Sequence, residues 1–289
     1  MQRVINGTGI NVGAIGLGAM PLSIKNRPDE AQAYEVIKTF VDAGGDFIDT
    51  ANVYCLDDND IGHNERLIAR ALDKLGVRGR VVVATKGGLR RPNGDWRVDG
   101  DPKFLRESCE QSLKALGLDC IPLYQLHAVD ATVGLLPSLD ALIQLKAEGK
   151  IAHIGLSNVS LAQLNEALAQ APIASVQNRC NPFEPQDFHS GLVDFCRKKN
   201  VAYIPHSPVG GHYGHVRLNQ SELFGRLAEK YGASRYCIAL AWFLGKGEHI
   251  LPIPGASKPA SIADSLRAMA FALDAADIQA IDALPASEE

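Results

Sequence analysis

Four ionisable side chains in the first half of the chain have the types that a proton-transfer site requires: Asp49, Tyr54, Lys86 and His127. A tyrosine has an ordinary pKa of about 10, which is too high for ready proton release near neutral pH. A nearby lysine cation favours the phenolate, and a carboxylate can keep that lysine charged and oriented. An imidazole beside them could orient a carbonyl group or assist proton transfer. Such a group could donate a proton to a developing alkoxide, although a complete reduction would also need a hydride.

The elements that must position these groups form a regular alternation along the chain. Eight short apolar runs read as strands, at residues 12–18, 47–54, 81–88, 121–127, 151–158, 174–180, 201–208 and 250–256. Segments with helical periodicity lie between them; Asp29 can cap the first helix, Gly44 and Gly45 can end it, and Ser160 precedes a later one. The runs are apolar on both faces, which is typical of parallel strands buried under helices. The alternation predicts an α/β fold, a single (β/α)8 TIM barrel over residues 1–289, with a doubly wound open sheet as the alternative.

Two segments lie outside the eight strand–helix units. The segment RVINGTGINV, residues 3–12, predicts a β-hairpin with a glycine turn that covers the bottom of the barrel. The segment DAADIQAIDALPASEE, residues 274–289, predicts an extra C-terminal helix followed by a frayed end. Because no interdomain linker separates these segments from the rest, we expect one domain.

Chemistry in such barrels collects at the C-terminal ends of the strands, and several predicted strands end in groups that packing does not explain. The second run ends with Asp49 and Tyr54, the third with Lys86 and the fourth with His127. A single strand-end lysine is more often a solvated terminus than a catalyst. Four ionisable groups on three neighbouring strands, however, predict one shared active site.

The overall composition disfavours several other classes of function. The chain has 289 residues, a formal net charge of -4 and no basic stripe, which disfavours nucleic-acid binding. No apolar run reaches the length of a transmembrane helix, about 18 residues, and the N-terminus lacks the apolar core of a signal peptide. Six scattered cysteines without a C-x-x-C pair predict a reduced, cytoplasmic protein. The glycine-rich segment with His206, His212 and His215 has no carboxylate or thiol partner, so we expect no metal site.

Seven sequence blocks, in chain order, are FIDTANVY, GHNERLIARAL, VVVATK, LYQLH, IGLSN, VQN and ILPIPGASKP. In this order they resemble the aldo-keto reductase family, and the resemblance covers nearly the whole chain. It implies a (β/α)8 barrel that binds a nicotinamide dinucleotide in extended form and reduces aldehydes or ketones to alcohols, usually with NADPH. Transferred residue by residue, it implies that Tyr54 is the general acid and that Lys86 lowers the pKa of Tyr54. Asp49 then pairs with Lys86, and His127 orients the carbonyl group.

The same resemblance implies a set of cofactor-binding residues. They are Gly18, Ala19, Met20, Asp49, Ser157, Asn158, Gln177, His206, Ser207, Val209, Gly211, Ile253, Pro254, Gly255, Ser257, Lys258, Ser261, Asp264 and Ser265. Within this set, Ser157, Asn158 and Gln177 should hydrogen-bond the nicotinamide carboxamide, and residues 18–20 should lie against the nicotinamide ribose. Residues 206–211 should cover the pyrophosphate, where glycines allow close backbone approach. Lys258 opens a helix whose N-terminus suits phosphate, and it can meet the 2′-phosphate of NADPH.

Two positions depart from the family pattern. His206 stands where the family commonly has an aromatic residue stacked on the nicotinamide, and Ser261 stands about where strongly NADPH-selective members have an arginine. Lys258 is then the obvious remaining cation, so NADPH is favoured and NADH is possible. The stretch 254–265 keeps an alternative interpretation, a glycine turn capped by Ser257 or Ser261.

The sequence leaves the substrate open beyond a small carbonyl compound. The loop between Pro208 and Ser221 is short, which predicts an open cofactor cleft, and Arg90 and Arg91 are interpreted as solvated surface. The oligomeric state is open as well, with a monomer favoured. Two other functions remain: an aldolase-type barrel that uses Lys86 as a Schiff-base nucleophile, and a non-catalytic regulatory subunit that senses NADPH.

Overall fold

The computed structural model of the protein describes residues 1–5 and 7–285, with the backbone only at residues 212 and 213. The last part of the predicted C-terminal segment, residues 286–289, lies outside the described residues. The described chain forms eleven strands: β1 (Gln2–Ile5), β2 (Ile10–Gly13), β3 (Leu17–Gly18), β4 (Phe47–Asp49), β5 (Val82–Gly87), β6 (Leu89–Arg90), β7 (Arg97–Val98), β8 (Ile121–Leu126), β9 (Ile151–Ser157), β10 (Ser175–Gln177) and β11 (Ala202–Tyr203). Its α-helices are α1 (Glu30–Asp42), α2 (His63–Leu75), α3 (Pro102–Leu116), α4 (Leu135–Ala147), α5 (Leu161–Leu168), α6 (Gln186–His189), α7 (Leu192–Lys198), α8 (Gly211–Gln220), α9 (Glu222–Tyr231), α10 (Arg235–Lys246), α11 (Pro259–Leu266) and α12 (Ala275–Asp282).

Seven of the strands form one parallel sheet, in the order β3, β4, β5, β8, β9, β10 and β11. The segment 250–255 closes the gap between the two edges of this sheet, because it bridges β11 at Tyr203 and β3 at Gly18. The segment is not a regular strand, since Pro252 and Pro254 have no N–H group to donate. The Pro254 carbonyl still accepts from the Gly18 N–H at 3.0 Å. The predicted (β/α)8 barrel is therefore confirmed, with residues 250–255 as its eighth strand.

Four of the barrel strands, β3, β4, β10 and β11, are much shorter than the apolar runs that predict them. To the barrel sheet, the first run contributes only Leu17–Gly18, and the second only Phe47–Asp49. The second run stays apolar beyond its strand because Ala51 and Val53 are buried in a separate small cluster with Tyr54. Tyr54 therefore lies in the loop beyond β4 rather than at the end of the strand.

The N-terminal hairpin covers the bottom of the barrel, as the sequence predicts. Strands β1 and β2 pair in antiparallel register. Ile5 and Val12 are buried in one cluster with Phe47 and Leu251, which lie at the start of barrel strands. Arg3 adds a hydrogen bond from Nε to the Ile250 carbonyl at 2.9 Å. The hairpin thus seals the end of the barrel opposite to the predicted site.

Capping residues account for the helix boundaries. The Asp29 side chain accepts from the Gln32 N–H at 2.8 Å, and Ser160 forms a capping box with Gln163. Helix α12 is the extra C-terminal helix that the sequence predicts. None of the helices in the described part of the chain is long and apolar enough to cross a membrane.

The segment between Pro208 and Ser221, which the sequence analysis treats as a loop, is largely helical. It forms helix α8, which begins after Gly210. Gly210 has a φ of 93°, a left-handed conformation that favours glycine and turns the chain into the helix. The helix changes the conformation of the segment and not its length, so the open cofactor cleft stays a prediction.

Candidate active site

Lys86, Asp49 and Tyr54 form one buried hydrogen-bonded group at the C-terminal end of the barrel. Asp49 ends β4, and Lys86 lies on the neighbouring strand β5. The Lys86 ammonium donates to Asp49 Oδ2 at 2.5 Å and to Tyr54 Oη at 3.1 Å. It also donates to the Thr50 carbonyl at 2.9 Å, so all three N–H groups have partners. Lys86 is 0% exposed and Tyr54 is 7% exposed, which leaves the phenol as the more accessible end of the group.

The two pKa values in this group keep both side chains protonated. Burial alone would lower the pKa of Lys86, but the charges of Asp49 and Tyr54 and their hydrogen bonds outweigh burial, and the net effect raises it. Burial raises the pKa of Tyr54, and the Lys86 cation offsets only part of that rise. The lysine therefore acts on the tyrosine in the predicted direction, while the phenol remains protonated. A protonated phenol that is hydrogen-bonded to a fixed cation is a competent proton donor.

His127 lies directly after β8 and faces the phenol. The rings of His127 and Tyr54 are edge-on, with centroids 5.8 Å apart and an interplanar angle of 82°. Burial, followed by the nearby Lys86 cation, holds the pKa of His127 well below its ordinary value, so the imidazole is neutral. Its buried Nδ1 has no hydrogen-bond partner among the described residues. A neutral imidazole in this place can hydrogen-bond an uncharged ligand oxygen without competing for the proton of Tyr54.

The second oxygen of Asp49 is held by two glutamine amides from distant strands. Gln177 of β10 donates from Nε2 to Asp49 Oδ1 at 2.7 Å, and Gln125 of β8 donates to the same oxygen at 3.1 Å. Gln177 Nε2 also donates to Gln125 Oε1 at 3.3 Å. The sequence analysis predicts Gln177 as a site residue but does not predict Gln125. A glutamine inside the apolar run 121–127 is the feature that could have identified Gln125.

Asn158, directly after β9, is fixed by the backbone of His127 and by the side chain of Ser157. Asn158 has a φ of 55°, a conformation that asparagine tolerates better than most residues. Its Nδ2 donates to the His127 carbonyl at 2.9 Å and to Ser157 Oγ at 3.1 Å. The Asn158 amide nitrogen is therefore occupied, and the amide oxygen is the end available to a ligand.

The backbone after β3 is held by Asn64, which the sequence does not single out as a site residue. Asn64 Nδ2 donates to the Ala19 carbonyl at 2.9 Å, and Asn64 Oδ1 accepts from Thr50 Oγ1 at 2.6 Å. The Ala19 N–H donates to the Asp49 carbonyl at 2.9 Å. Ala19 and Met20 thus lie next to the buried group, and their contact with a nicotinamide ribose stays a prediction. The feature of the sequence that could have identified Asn64 is its place in the block GHNERLIARAL.

His206 lies half-buried across from Asn158. Burial, then the charges of Lys86 and Arg179, lower the pKa of His206 to about 3, so the ring is neutral. Its Nε2 is 3.4 Å from Asn158 Oδ1. The neutral imidazole of His206 offers a flat face on which a ligand ring can stack, although the face is smaller than that of tyrosine or phenylalanine.

The chain after His206 is tightly turned before helix α8. Ser207 has a φ of 53°, which is uncommon for a residue other than glycine, and Val209 and Gly211 are half-buried. Arg179, which the sequence does not single out, donates from Nη2 to the Gly210 carbonyl at 3.4 Å. The predicted pyrophosphate segment 206–211 therefore has a guanidinium beside it.

The segment after the eighth strand leads from the barrel interior to the surface. Ile253 and Pro254 are buried, and Gly255 is exposed. The Ser257 carbonyl accepts from Gln32 Nε2 at 2.6 Å, which ties the segment to helix α1.

Helix α11 begins with an N-terminus that no side chain caps. Lys258 is the N-cap residue and makes no side-chain cap hydrogen bond, so the alternative of a turn capped by Ser257 or Ser261 is wrong. Lys258 and Ser261 are exposed. Ser265 is buried and its hydroxyl donates to the Ser261 carbonyl at 3.0 Å, while Asp264 accepts from a serine of the neighbouring helix cap. Lys258 and Ser261 are therefore open to a ligand, whereas the Ser265 hydroxyl is used within its own helix.

The loop between β6 and β7 lies over Tyr54. The Trp96 ring is edge-on to the Tyr54 ring, with centroids 6.3 Å apart, and Trp96 is 47% exposed. The Arg91 guanidinium stacks 3.6 Å from the centre of Trp96, and its Nε donates to the Cys55 carbonyl at 3.3 Å. Arg91 is only 6% exposed, so its interpretation as solvated surface is wrong, whereas Arg90 is exposed. Sequence reasoning misses Arg91 because the stacking partner lies five residues away in a loop.

The three histidines considered for a metal have other surroundings. His206 faces Asn158, and His215 Nδ1 is 3.1 Å from the Gly211 carbonyl. The side chain of His212 lies outside the described residues. In the described part of the chain, no group of three or more His, Cys, Asp or Glu side chains could hold a metal ion.

With the barrel and its buried group established, comparison with known proteins identifies the family. Residues 14–286 match the aldo/keto reductase family. A probable aldo-keto reductase 1 from Glycine max is 33% identical over 316 residues, which cover 99% of this chain and 89% of that relative. A thermostable aldo-keto reductase crystallised with the inhibitor epalrestat has a TM-score of 0.83 and 27% identity, with 98% of each chain covered. A glycerol dehydrogenase from Gluconobacter oxydans has a TM-score of 0.83 and 25% identity, covering 97% of this chain and 94% of that one.

The chain therefore belongs to the aldo/keto reductase family of oxidoreductases, whose members generally reduce carbonyl compounds with NADPH.

Proposed function

We propose that the protein is an NADPH-dependent reductase that converts an aldehyde or ketone into an alcohol, with Tyr54 as the proton donor. The observation that carries this proposal is the 3.1 Å hydrogen bond from the buried Lys86 ammonium to the Tyr54 hydroxyl. Burial keeps the phenol protonated until it is needed, and the ammonium then stabilises the phenolate that proton donation leaves behind. A phenol in this state gives up its proton when a strong base, such as an alkoxide, forms beside it.

The polar groups at the strand ends fit the carboxamide of a nicotinamide. Gln177 and Asn158 have their amide nitrogens bonded within the protein, so each presents an oxygen that can accept from an amide N–H. The Ser157 hydroxyl accepts from Asn158 and has its own proton to donate. Lys258 and the uncapped N-terminus of α11 suit a phosphate. These residues would hold NADPH, and NADH is the weaker alternative.

Bound NADPH supplies the hydride for the carbonyl carbon. The part of the protein is to hold the carbonyl oxygen beside the Tyr54 hydroxyl and the neutral His127 ring. As negative charge develops on that oxygen, Tyr54 Oη transfers its proton to it. Lys86 compensates the resulting phenolate, and its ion pair with Asp49 keeps the ammonium in place. The phenol must then be protonated again before the next turnover.

Fluorescence titration with NADPH and NADH, followed by turnover of a simple aromatic aldehyde, tests this proposal. We expect tighter binding of NADPH and consumption of NADPH in step with alcohol formation. Absence of binding by either nucleotide would contradict the proposal. Binding of NADPH without turnover across a broad carbonyl panel would instead support the non-catalytic sensing role.

The aldolase alternative requires a neutral, accessible Lys86, because only the free amine attacks a carbonyl carbon. Lys86 is fully buried, its pKa is raised, and its three N–H groups are all engaged. These contacts favour the reductase. Borohydride treatment with a labelled carbonyl substrate should leave Lys86 unlabelled, and a trapped adduct on Lys86 would favour the aldolase.

A reduced, cytoplasmic setting completes the proposal. All six cysteines are unpaired thiols and all but Cys120 are buried. Burial raises the pKa of Cys55, next to the proposed acid, to about 12, which keeps it an unreactive thiol. Free buried thiols of this kind are common in compartments that keep cysteine reduced.

A further inference from the structure

Gln125 lies inside the barrel without a role in the proposed proton transfer. It is 0% exposed and sits on β8, between the strands that carry Lys86 and Ser157. The neighbouring β9 leaves room for it at Gly155, where a Cβ atom would lie 2.7 Å from Gln125 Cγ. Burying a primary amide is costly unless its hydrogen bonds are made, so its partners are informative.

Those partners determine how the amides must be oriented. Asp49 is ion-paired with Lys86 through Oδ2, and as a carboxylate it can only accept hydrogen bonds. Gln177 and Gln125 approach Asp49 Oδ1 to 2.7 Å and 3.1 Å, so each must point its NH2 group at that oxygen. The assignment of amide nitrogen and oxygen therefore follows from the carboxylate.

The second N–H of Gln177 is taken by Gln125. Gln177 Nε2 donates to Gln125 Oε1 at 3.3 Å, in addition to its bond with Asp49. Both protons of the Gln177 amide are then used inside the protein, and Gln177 Oε1 is the end that can receive a ligand donor. Without Gln125, Asp49 would still hold one N–H of Gln177, but a single hydrogen bond would leave the amide plane free to tilt about its terminal torsion, which has a broad preference.

We infer that Gln125 is a positioning residue that holds the Gln177 carboxamide with its oxygen toward the carboxamide nitrogen of the nicotinamide. Gln125 acts through Gln177 and does not itself touch the cofactor. The inference rests on the proposed function, because it needs Gln177 to hold the nicotinamide. It also links cofactor binding to the proton-donating group, since Asp49 is bonded to Gln177 on one side and to Lys86 on the other.

Gln125→Met tests the inference, because methionine has a similar length and cannot hydrogen-bond to Gln177 in the same way. Dissociation constants are measured for NADPH and for its 3-acetylpyridine analogue, which has no amide N–H to donate. We expect Gln125→Met to raise the dissociation constant of NADPH roughly three- to tenfold, which is the effect of one hydrogen bond. The dissociation constant of the analogue should rise less than about twofold. The same change made in a Gln177→Met background should have no further effect.

Ser175→Ala is the matched control. Ser175 lies on β10 two residues before Gln177, is buried beside the same glycine of β9, and has a hydroxyl without a hydrogen-bond partner among the described residues. This variant should leave both dissociation constants unchanged. If Gln125→Met does not fold, Gln125→Asn keeps a polar side chain that is too short for the contact, and the same selective loss is expected.

Three results would overturn the inference. Equal weakening of NADPH and the analogue would show a general loss of structure, and unchanged affinity for both would show that Gln177 is oriented without Gln125. Either result leaves the proposed function intact if wild-type protein binds NADPH and turns over an aldehyde. Failure of wild-type protein to bind NADPH would overturn the proposed function and the inference together.

Discussion

Glu65, a buried glutamate in helix α2, should make the protein less stable as the pH rises from acidic values to about neutrality. Its side chain is fully buried, and Oε1 accepts from Thr85 Oγ1 at 2.6 Å. Burial raises the pKa of Glu65 to about 7, and the hydrogen bond from Thr85 offsets only part of the rise. Thr85 precedes Lys86, the lysine of the proposed site, on β5, so this carboxyl group supports the strand that positions Lys86.

The size of the effect follows from the pKa. A rise from 4.5 to about 7 corresponds to about 3 kcal/mol, at 1.36 kcal/mol per pKa unit. The unfolded chain releases this proton near the ordinary pKa and the folded protein retains it to about 7, so the stabilisation is complete below 4.5. It falls progressively as the pH rises from 4.5 towards about 7, and it is fully lost above about 7, where both states are ionised. Glu65→Gln keeps an oxygen for Thr85 and cannot ionise, so it should lose none of this stability.

Urea unfolding followed by tryptophan fluorescence measures the difference between variant and wild type. Near the ordinary carboxyl pKa the two should be about equal, and at about pH 8 Glu65→Gln should be more stable by up to about 3 kcal/mol. Glu107→Gln, a change of the same type at an exposed position of α3, is the control and should show no such trend. A Glu65→Gln difference that stays constant with pH would refute the reasoning.

Two further predictions concern the cofactor and the substrate sides of the site. Lys258→Met should weaken the binding of NADPH by no more than about fivefold, because the lysine is exposed, and should leave the binding of NADH unchanged. In a fluorescence titration, equal losses of affinity for both nucleotides would contradict a contact between Lys258 and the 2′-phosphate. Arg91→Met should lower kcat/KM for an aromatic aldehyde by about tenfold, because the change removes the stacking on Trp96 and the hydrogen bond to the Cys55 carbonyl near Tyr54. The dissociation constant of NADPH should stay within about twofold of the wild-type value. Unchanged steady-state kinetics would show that Trp96 is held without Arg91.

The barrel was open to prediction because its signals are local or periodic. Apolar runs, the Asp29 and Ser160 caps and the N-terminal hairpin each depend on short stretches of sequence, and the structure confirms them. The eighth strand is predicted as well, although Pro252 and Pro254 reduce it to a few bridges. Strand lengths were harder to predict, because residues buried in a loop are as apolar as residues in a strand.

The site was predictable only for residues with evident chemistry. The contacts of Asp49, Tyr54 and Lys86 agree with the sequence prediction, since an acid and a lysine in apolar strands need each other. Gln125 and Arg91 depend on contacts with distant segments, which no local pattern records.

Replacement of Tyr54 by phenylalanine tests the central claim most directly. The change removes one hydroxyl from a ring that otherwise keeps its packing against Trp96 and His127. NADPH affinity and aldehyde turnover should be measured on the same preparation. We predict that Tyr54→Phe binds NADPH within about twofold of wild type and reduces the aldehyde at least about 100-fold more slowly, the usual size of general-acid catalysis. Wild-type turnover by this variant would mean that another group donates the proton.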